Sequence, residues 1–265
     1  MNIVVCVKQV PDTTEVKINP ETNSLIRTGV PSIINPYDHF ALQTALELKK
    51  KHDFRVTVVS MGPPQAKSVV QMGLALGADE GVLLSDMAFA GSDTWATSYA
   101  LSKAMKKIGK TDLIFCGMQA IDGDTAQVGP GIAQQLGMAQ VTFCEHVEVD
   151  GRRIIARKLI DGGYEIVECR PPLLLTMIMH KDYVPKYPSF LAVHAALGKP
   201  FQVWNAADIG AEAQYLGLKG SPTQVSRIYP PAVKEKAQMF TGSGQQATEK
   251  ILEIMRREHF LDGNC

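Results

Sequence analysis

Short apolar runs alternate with longer helical patterns along the first half of the chain. Ile3–Val7, Arg55–Val59, Gly81–Leu84 and Asp112–Cys116 are compact β-rich runs. Between them, Tyr37–Lys50 carries Phe40, Ala41, Ala45, Leu46 and Leu48 at helical spacing. Pro64 stands at a helix start that continues through Gln65–Leu76. Asp93–Ile108 groups Leu101, Ala104 and Met105 on one side, and Thr125–Leu136 supplies a further helix. Repeated β-then-α units of this length predict an α/β fold: a Rossmann-like, doubly wound, mostly parallel sheet with helices on both faces. Sheets of that kind bind ligands at the carboxyl ends of their strands, which directs attention to the loops after Val7, Val59, Leu84 and Cys116.

From Val141 the pattern changes. Val141–Val149, Arg152–Leu159, Tyr164–Cys169 and Leu173–Ile178 are strand-like, with turns at Asp150-Gly151, Asp161-Gly162-Gly163 and Pro171-Pro172. They read as an antiparallel meander added to the parallel core. A proline-punctuated stretch follows, Val184–Pro200. Phe201–Glu235 then has little periodicity and contains Gly217, Gly220, Pro222, Pro230 and Pro231. So long a stretch without regular structure is unusual inside a compact domain, and it reads as an arm lying on another chain. Ser243–His259 is a helix with Ser243 as its cap and an apolar stripe of Ile251, Leu252, Ile254 and Met255. The expected organisation is an α/β domain over residues 1–200 and an extended C-terminal arm over 201–265.

Composition narrows the functions on offer. The 265 residues carry 27 Lys+Arg against 27 Asp+Glu. That balance argues against nucleic acid as the main partner. The longest largely apolar stretch, Leu173–Met179, is too short to cross a bilayer, so no membrane segment is expected. The opening MNIVVCVKQV lacks the layout of a secretory signal. Cys6, Cys116, Cys144, Cys169 and Cys265 have no metal-ligand spacing. They read as reduced thiols in a cytoplasmic protein, with Cys6, Cys116 and Cys144 as buried small hydrophobes.

The loop richest in candidate chemistry is Gly117–Pro130, between a strand and a helix. Gly117, Gly123 and Gly129 permit close backbone approach, and Asp122, Asp124, Thr125 and Gln127 supply polar contacts. Thr125 with the first helical amides suits a phosphate. Asp124 is a candidate cap, Asp122 a candidate for a ribose or a turn amide, and a capped turn without ligand is the competing reading. A second loop, Gly91–Ser98, sets Ser92, Asp93, Thr94, Thr97 and Ser98 at another strand-to-helix junction. Capping explains Asp93 or Thr94 but not that density, so phosphate or flavin contact is the sharper reading. In Pro31–Asp38, Asn35-Pro36 marks a turn and Asp38 is placed to cap the following helix. No Walker A run, G-x-G-x-x-G after the first strand, G-x-S-x-G or H-E-x-x-H occurs, and the six histidines lack ligand spacing. Nucleotide loops without acid–base machinery suit electron transfer, in which a cofactor does the chemistry.

At these loops the chain resembles the beta subunit of electron-transferring flavoproteins. The shared residues are Val7-Lys8, Asn35-Pro36, Met61-Gly62-Pro63, Leu76-Gly77-Ala78-Asp79, Gly117 with Gln119-Ala120-Ile121-Asp122, and Ile160-Asp161-Gly162-Gly163, in order over roughly residues 1–210. The resemblance implies an alpha-subunit partner that carries an FAD. It also implies an adenine nucleotide held by Cys6, by Asn35, Pro36, Tyr37 and Asp38, by Met61, and by Met118, Gln119, Ala120, Ile121, Asp122, Gly123, Asp124, Thr125, Ala126 and Gln127. In the respiratory type that nucleotide is AMP. In the electron-bifurcating type it is half of a second FAD, which takes a hydride from NADH. One electron then goes to ferredoxin or flavodoxin. The other goes through the alpha-subunit FAD to a flavin dehydrogenase, of the acyl-CoA dehydrogenase type or acting on hydroxyacids. Gly91, Ser92, Asp93, Thr94 and Thr97, and the run from Asp122 through Val128 and Gly129 to Pro130, are similar to the bifurcating type. Tyr183–Leu197 matches the family's partner-docking segment, with Tyr187 and either Phe190 or Leu191 as its apolar tip. A core-facing helix start is the alternative there.

Overall fold

The computed structural model describes residues 1–12, 31–226 and 239–261. Its organising element is a nine-stranded sheet. In chain order the strands are β1 (Asn2–Cys6), β4 (Arg55–Met61), β5 (Glu80–Leu84), β6 (Leu113–Gly117), β7 (Ala139–Asp150), β8 (Arg153–Ile160), β9 (Gly163–Cys169), β10 (Leu173–Met177) and β11 (Phe201–Trp204). Two short strands, β2 (Gln9–Pro11) and β3 (Ser32–Ile34), form a separate antiparallel pair. The spatial order is β11-β5-β4-β1-β6-β10-β7-β8-β9. Every pairing from β11 to β7 is parallel, and only β7-β8-β9 is antiparallel. The expected doubly wound, mostly parallel sheet with an antiparallel extension is therefore present.

Seven helices occur among the described residues: α1 (Pro36–His52), α2 (Lys67–Leu76), α3 (Thr94–Ile108), α4 (Val128–Leu136), α5 (Phe190–Ala196), α6 (Gly217–Gly220) and α7 (Gly244–Arg257). Successive side chains on a strand face opposite sides. On β1, Ile3 and Val5 enter a core with Phe40, Ala41, Leu42 and Val70 of α1 and α2. Val4 and Cys6 enter a second core with Ala100, Leu101, Ile132 and Ala133 of α3 and α4. Burial on both faces explains why the central strands are unbroken apolar runs.

Three expectations need correction. Leu173–Met177 is not the last strand of a meander: β10 lies parallel between β6 and β7. All five of its residues are buried, and a strand with a wet face would instead alternate. Secondly, Phe201–Trp204 joins β5 as the sheet's edge, and Trp204, Ile209 and Leu216 fill the second core. Four residues are too few to show a period. The chain's first compact unit runs through Ser226, and the second begins at Arg227. Pro230, Pro231 and Cys265 lie outside the described residues. Thirdly, the helix expected from Thr125 begins at Val128. Asp124 and Ala126 have φ of 48° and 54°, a left-handed backbone that no α-helix contains.

In the second unit, α7 opens with a reciprocal cap. Ser243 Oγ accepts from the Gln246 amide and Gln246 Oε1 accepts from the Ser243 amide. Ile251 and Leu252 of its apolar stripe are exposed.

Candidate functional site at the strand-order switch

After β1 the chain builds β4 and β5 on one side, then returns to place β6 on the other. The crevice above the carboxyl ends of β1 and β6 is thus the switch point where open α/β sheets take ligands. The first turn of α1 closes its floor. Asp38 Oδ2 accepts from the Lys8 amide at 2.8 Å, and Oδ1 from the Gly117 amide at 3.0 Å. One carboxyl therefore clamps the ends of both switch strands. Its burial outweighs these bonds and pushes its pKa to about 7. Asn35, wholly buried, donates from Nδ2 to the Gln119 carbonyl and accepts at Oδ1 from the Ile121 amide. Its own amide bonds the Lys8 carbonyl. Pro36 starts the helix without wasting a donor. Tyr37 is half-buried beside it.

Gly117 serves this clamp. A Cβ there would lie 2.3 Å from Asp38 Oδ1 and 2.7 Å from Tyr37 Cβ. Gly129 similarly admits Thr176, whose Cγ2 would be 2.6 Å away. Of the three glycines expected to let a ligand approach, only Gly123 has open space around it. Beneath the crevice, Cys6 and Cys116 sit side by side on β1 and β6. The Cys6 thiol, then burial, holds the Cys116 pKa well above its ordinary value. The Cys116 thiol is therefore an inert packing group at neutral pH, and Cys6 is buried beside it. Met61, half-buried at the end of β4, packs against the same core.

The loop after β6 presents its polar groups outward. Lys8 Nζ meets both Asp122 oxygens at 2.6 and 2.8 Å, so Asp122 is already paired. Asp124 accepts from Gln119 Nε2 and caps nothing. Met118 bonds the Met177 carbonyl, and the Gly123 and Asp124 amides turn back to Ala120. Among the described residues the amides of Thr125, Ala126 and Gln127 meet no acceptor, and α4 has no side-chain cap at Gln127. Val128 and Gly129 add the free donors of the first helical turn. A left-handed Ala126 followed by a right-handed Gln127 is the geometry of an amide nest, which cups an anion. A strained alanine beside a ligand loop is itself a functional signal.

The Gly91–Ser98 loop lies alongside. A Cβ on Gly131 of α4 would come within 2.6 Å of Ser98 Oγ of α3, so the two helices touch near their starts. Asp93 caps α3 through the Trp95 and Ala96 amides and also accepts from the Thr223 amide and hydroxyl. Burial works to raise its pKa, but these bonds together hold the carboxyl below the usual range. Ser92 bonds the Phe89 carbonyl. Gly91, at φ 75°, fits against Leu218. That leaves the Thr94 and Thr97 hydroxyls, half-buried and without a partner among the described residues. In Tyr183–Leu197, Ser189 caps α5 and leaves Tyr187, Phe190 and Leu191 at 70%, 83% and 78% exposure, so the core-facing alternative does not hold. No group of three or more metal-ligating side chains exists among the described residues.

Sequence reading did not assign Thr176, Thr223 or Phe143 to this region. Phe143, at φ 58° on a bulge of β7, donates its amide to Thr176 Oγ1. Thr176 in turn packs on Gly129 at the start of α4. A bulky residue with positive φ leaves no trace in the sequence pattern.

Fold and loops together define a doubly wound α/β protein with a set of unpaired amides at its strand-order switch. The electron transfer flavoprotein domain matches residues 22–209. The electron transfer flavoprotein subunit beta of Clostridium acetobutylicum is 50% identical over 261 residues, covering 98% of this chain and 100% of that protein. A caffeyl-CoA reductase–Etf complex subunit, CarD, of Acetobacterium woodii is 44% identical over 263 residues (98% of this chain, 100% of that protein). Protein FixA of Azorhizobium caulinodans is 44% identical over 272 residues (99% of this chain, 96% of that protein). The chain belongs to the electron transfer flavoprotein family, as a beta subunit, which implies an alpha-subunit partner. No helix among its described residues is long and apolar enough to cross a membrane.

Proposed function

We propose that this beta subunit binds FAD in the crevice between the starts of α3 and α4 and works with NADH in electron bifurcation. The observation that carries the reading is the alignment of two receptive features. The amide nest over residues 125–129 suits one phosphate, and the Thr94 and Thr97 hydroxyls on the adjoining helix suit a ligand continuing past it. Pro36 and Tyr37 would line the adenosine side, together with Met118 to Ile121, over a floor that the buried Asn35 and Asp38 hold in place. FAD bound there would supply hydride acceptance from NADH and one-electron delivery to two acceptors. The residues of this chain bind and orient it, and none of them is asked to move a proton.

The acceptors in this reading are ferredoxin or flavodoxin and, through the alpha-subunit FAD, a flavin-dependent dehydrogenase of the acyl-CoA type. The relative named for a caffeyl-CoA reductase–Etf complex supports a CoA-linked redox partner. The exposed Tyr187, Phe190 and Leu191 would meet that partner, because one or two apolar anchors dominate a transient interface. The C-terminal arm, with α7, would pack on the alpha subunit. The four cysteines among the described residues are free thiols, which fits a place in the cytoplasm.

A second reading has its own support. Asp93 already caps α3, leaving α4 as the receptive helix start of the pair, and one receptive start suits the single phosphate of AMP. Flavin and AMP content of the purified alpha–beta complex separates the two. Two FAD per pair is the expected result; one FAD and one AMP sinks bifurcation and leaves the respiratory type. Thr94→Leu with Thr97→Leu is expected to eject the beta-bound flavin and spare the alpha-bound one.

A further inference from the structure

The segment that carries Phe190 and Leu191 is anchored to α1, and its anchor is His39. This residue follows Asp38 directly and is 3% exposed. Its Nδ1 lies 3.1 Å from the Tyr183 hydroxyl, and its ring faces that of Tyr187 at 5.6 Å between centroids. Phe40 packs edge-on against Tyr183 at 4.9 Å. One turn further on, Gln43 Nε2 donates to the Lys186 carbonyl at 3.3 Å, and Lys186 Nζ meets Glu47 at 3.0 Å. Burial pushes the Tyr183 hydroxyl's pKa far above its ordinary value, so that hydroxyl is the donor and Nδ1 the acceptor. The proton of neutral His39 then sits on Nε2, which is buried and has no hydrogen-bond partner among the described residues.

We propose that His39 is a positioning residue, fixing Tyr183–Tyr187, and with them the exposed Phe190 and Leu191, to the helix whose first turn builds the nucleotide crevice. The proposal rests on reading Phe190 and Leu191 as the docking tip. Asn35 and Asp38 tie the start of α1 to the ligand loops, and a 17-residue helix is stiff, so a shift at the crevice is carried along α1 to the docking segment, with His39 the first of its contacts there. The latch needs neutral histidine. Protonation removes the Nδ1 acceptor and leaves a buried charge. The titratable groups near the ring are Asp38 and Glu47 on α1, and His180, Tyr183, Lys186 and Tyr187 on the segment. Burial lowers the His39 pKa, with a smaller opposing pull from the Lys186 backbone. The latched state is therefore intact above the ordinary histidine value, about 6.5, and weakens as pH falls through the lower folded value.

Hydrogen exchange of residues 181–191 in the intact alpha–beta complex tests this. His39→Phe keeps a ring but no acceptor; Tyr183→Phe keeps its ring but no donor. Each is expected to speed exchange there up to about tenfold, the scale of one lost hydrogen bond. The double variant should go no further than either single, because both remove the same bond. Lowering the pH should loosen the native segment beyond the intrinsic change in exchange chemistry, and should not loosen His39→Phe. Unchanged exchange in His39→Phe, additive effects in the double variant, or a rise spread along all of α1 overturns the proposal. Electron delivery to a flavin dehydrogenase by Phe190→Ser and Leu191→Ser judges the docking reading separately. Native rates in both would sink that reading, while exchange alone decides the latch.

Discussion

Replacing Asp38 by Asn tests whether the floor of the crevice holds a titrating carboxyl. Asp38 is buried, and its two oxygens accept from the amides that end β1 and β6. Those amides, the neighbouring Asn35, and Lys8 all favour the charged form; burial opposes them and prevails, taking the pKa from 3.8 to about 7. The group thus binds its proton more tightly folded than unfolded. Its contribution to stability is fully present below the unfolded value and is lost as pH rises through the folded one. A shift of that size corresponds to about 4 kcal/mol in all, most of which falls between about pH 5 and pH 8.

Asn cannot titrate, so the stability difference between the native chain and Asp38→Asn should change by roughly 2–3 kcal/mol across the interval. At the acidic end the variant should be the less stable by about 1–3 kcal/mol, because an NH2 group cannot accept from the second amide. Towards pH 8 that deficit should shrink or reverse. Urea unfolding of the native and variant complexes, at matched concentration and several pH values, reads the difference. Other groups titrate equally in both and cancel. Parallel profiles from pH 5 to pH 8 would refute the reasoning, since the folded carboxyl would then be charged throughout, as the unfolded one is.

Three further outcomes are expected. Gly117→Ala sets a Cβ within 2.3 Å of Asp38 Oδ1, so the start of α1 must shift; a loss of about 1–3 kcal/mol in unfolding free energy should accompany loss of bound nucleotide. Lys8→Met breaks a half-exposed ion pair and should change stability by less than about 1 kcal/mol. It leaves Asp122 unpaired near the amide nest, so nucleotide affinity measured by titration should fall severalfold at low salt and recover at high salt. Ser243→Ala removes one half of the α7 capping box and should weaken that helix by about 1 kcal/mol, seen as faster exchange of the Gln246 amide.

How much of this was legible in the sequence depends on the kind of signal involved. Strands buried on both faces announce themselves as unbroken apolar runs, and β1, β4, β5 and β6 were all readable. The same rule, applied to LLLTM, would have moved β10 into the parallel core; the turns around it masked the point. β11 was hidden because four residues at an edge have no period and its flanks are rich in glycine and proline. At the crevice, the polar loops were visible by composition, but the duties of their members were not. Asp93, Asp122 and Asp124 look alike in sequence, yet one caps a helix, one pairs with Lys8 and one holds Gln119. Such pairings join residues up to 130 positions apart, as Asp93 and Thr223 are, and no local pattern encodes them. Likewise, Gly117 reads as space for a ligand until Asp38 is seen to fill that space.

The balance between the two nucleotide readings comes down to which polar groups the fold has left over. Buried donors and acceptors are almost always paired, whereas unspent ones on the exposed or half-buried residues of a crevice rim are open to water or to a ligand. Asn35, Asp38, Asp93, Asp122 and Ser92 are spent within the protein. Among the described residues, the amides of residues 125–127, the open start of α4 and the hydroxyls of Thr94 and Thr97 are not. A mononucleotide phosphate on the nest would answer the amides alone and leave both threonines idle on α3. A ligand that also answers the threonines must continue from the nest toward α3 and pass Asp93, whose ionised carboxyl repels a second phosphate. The continuing chain must therefore run along the threonine side of α3, and it must be rich in acceptors rather than densely charged at the helix start. A ligand whose phosphates stay on the nest and whose uncharged polyhydroxyl chain runs on past α3, as FAD's would under the proposed reading, meets both demands, whereas a mononucleotide meets only the first.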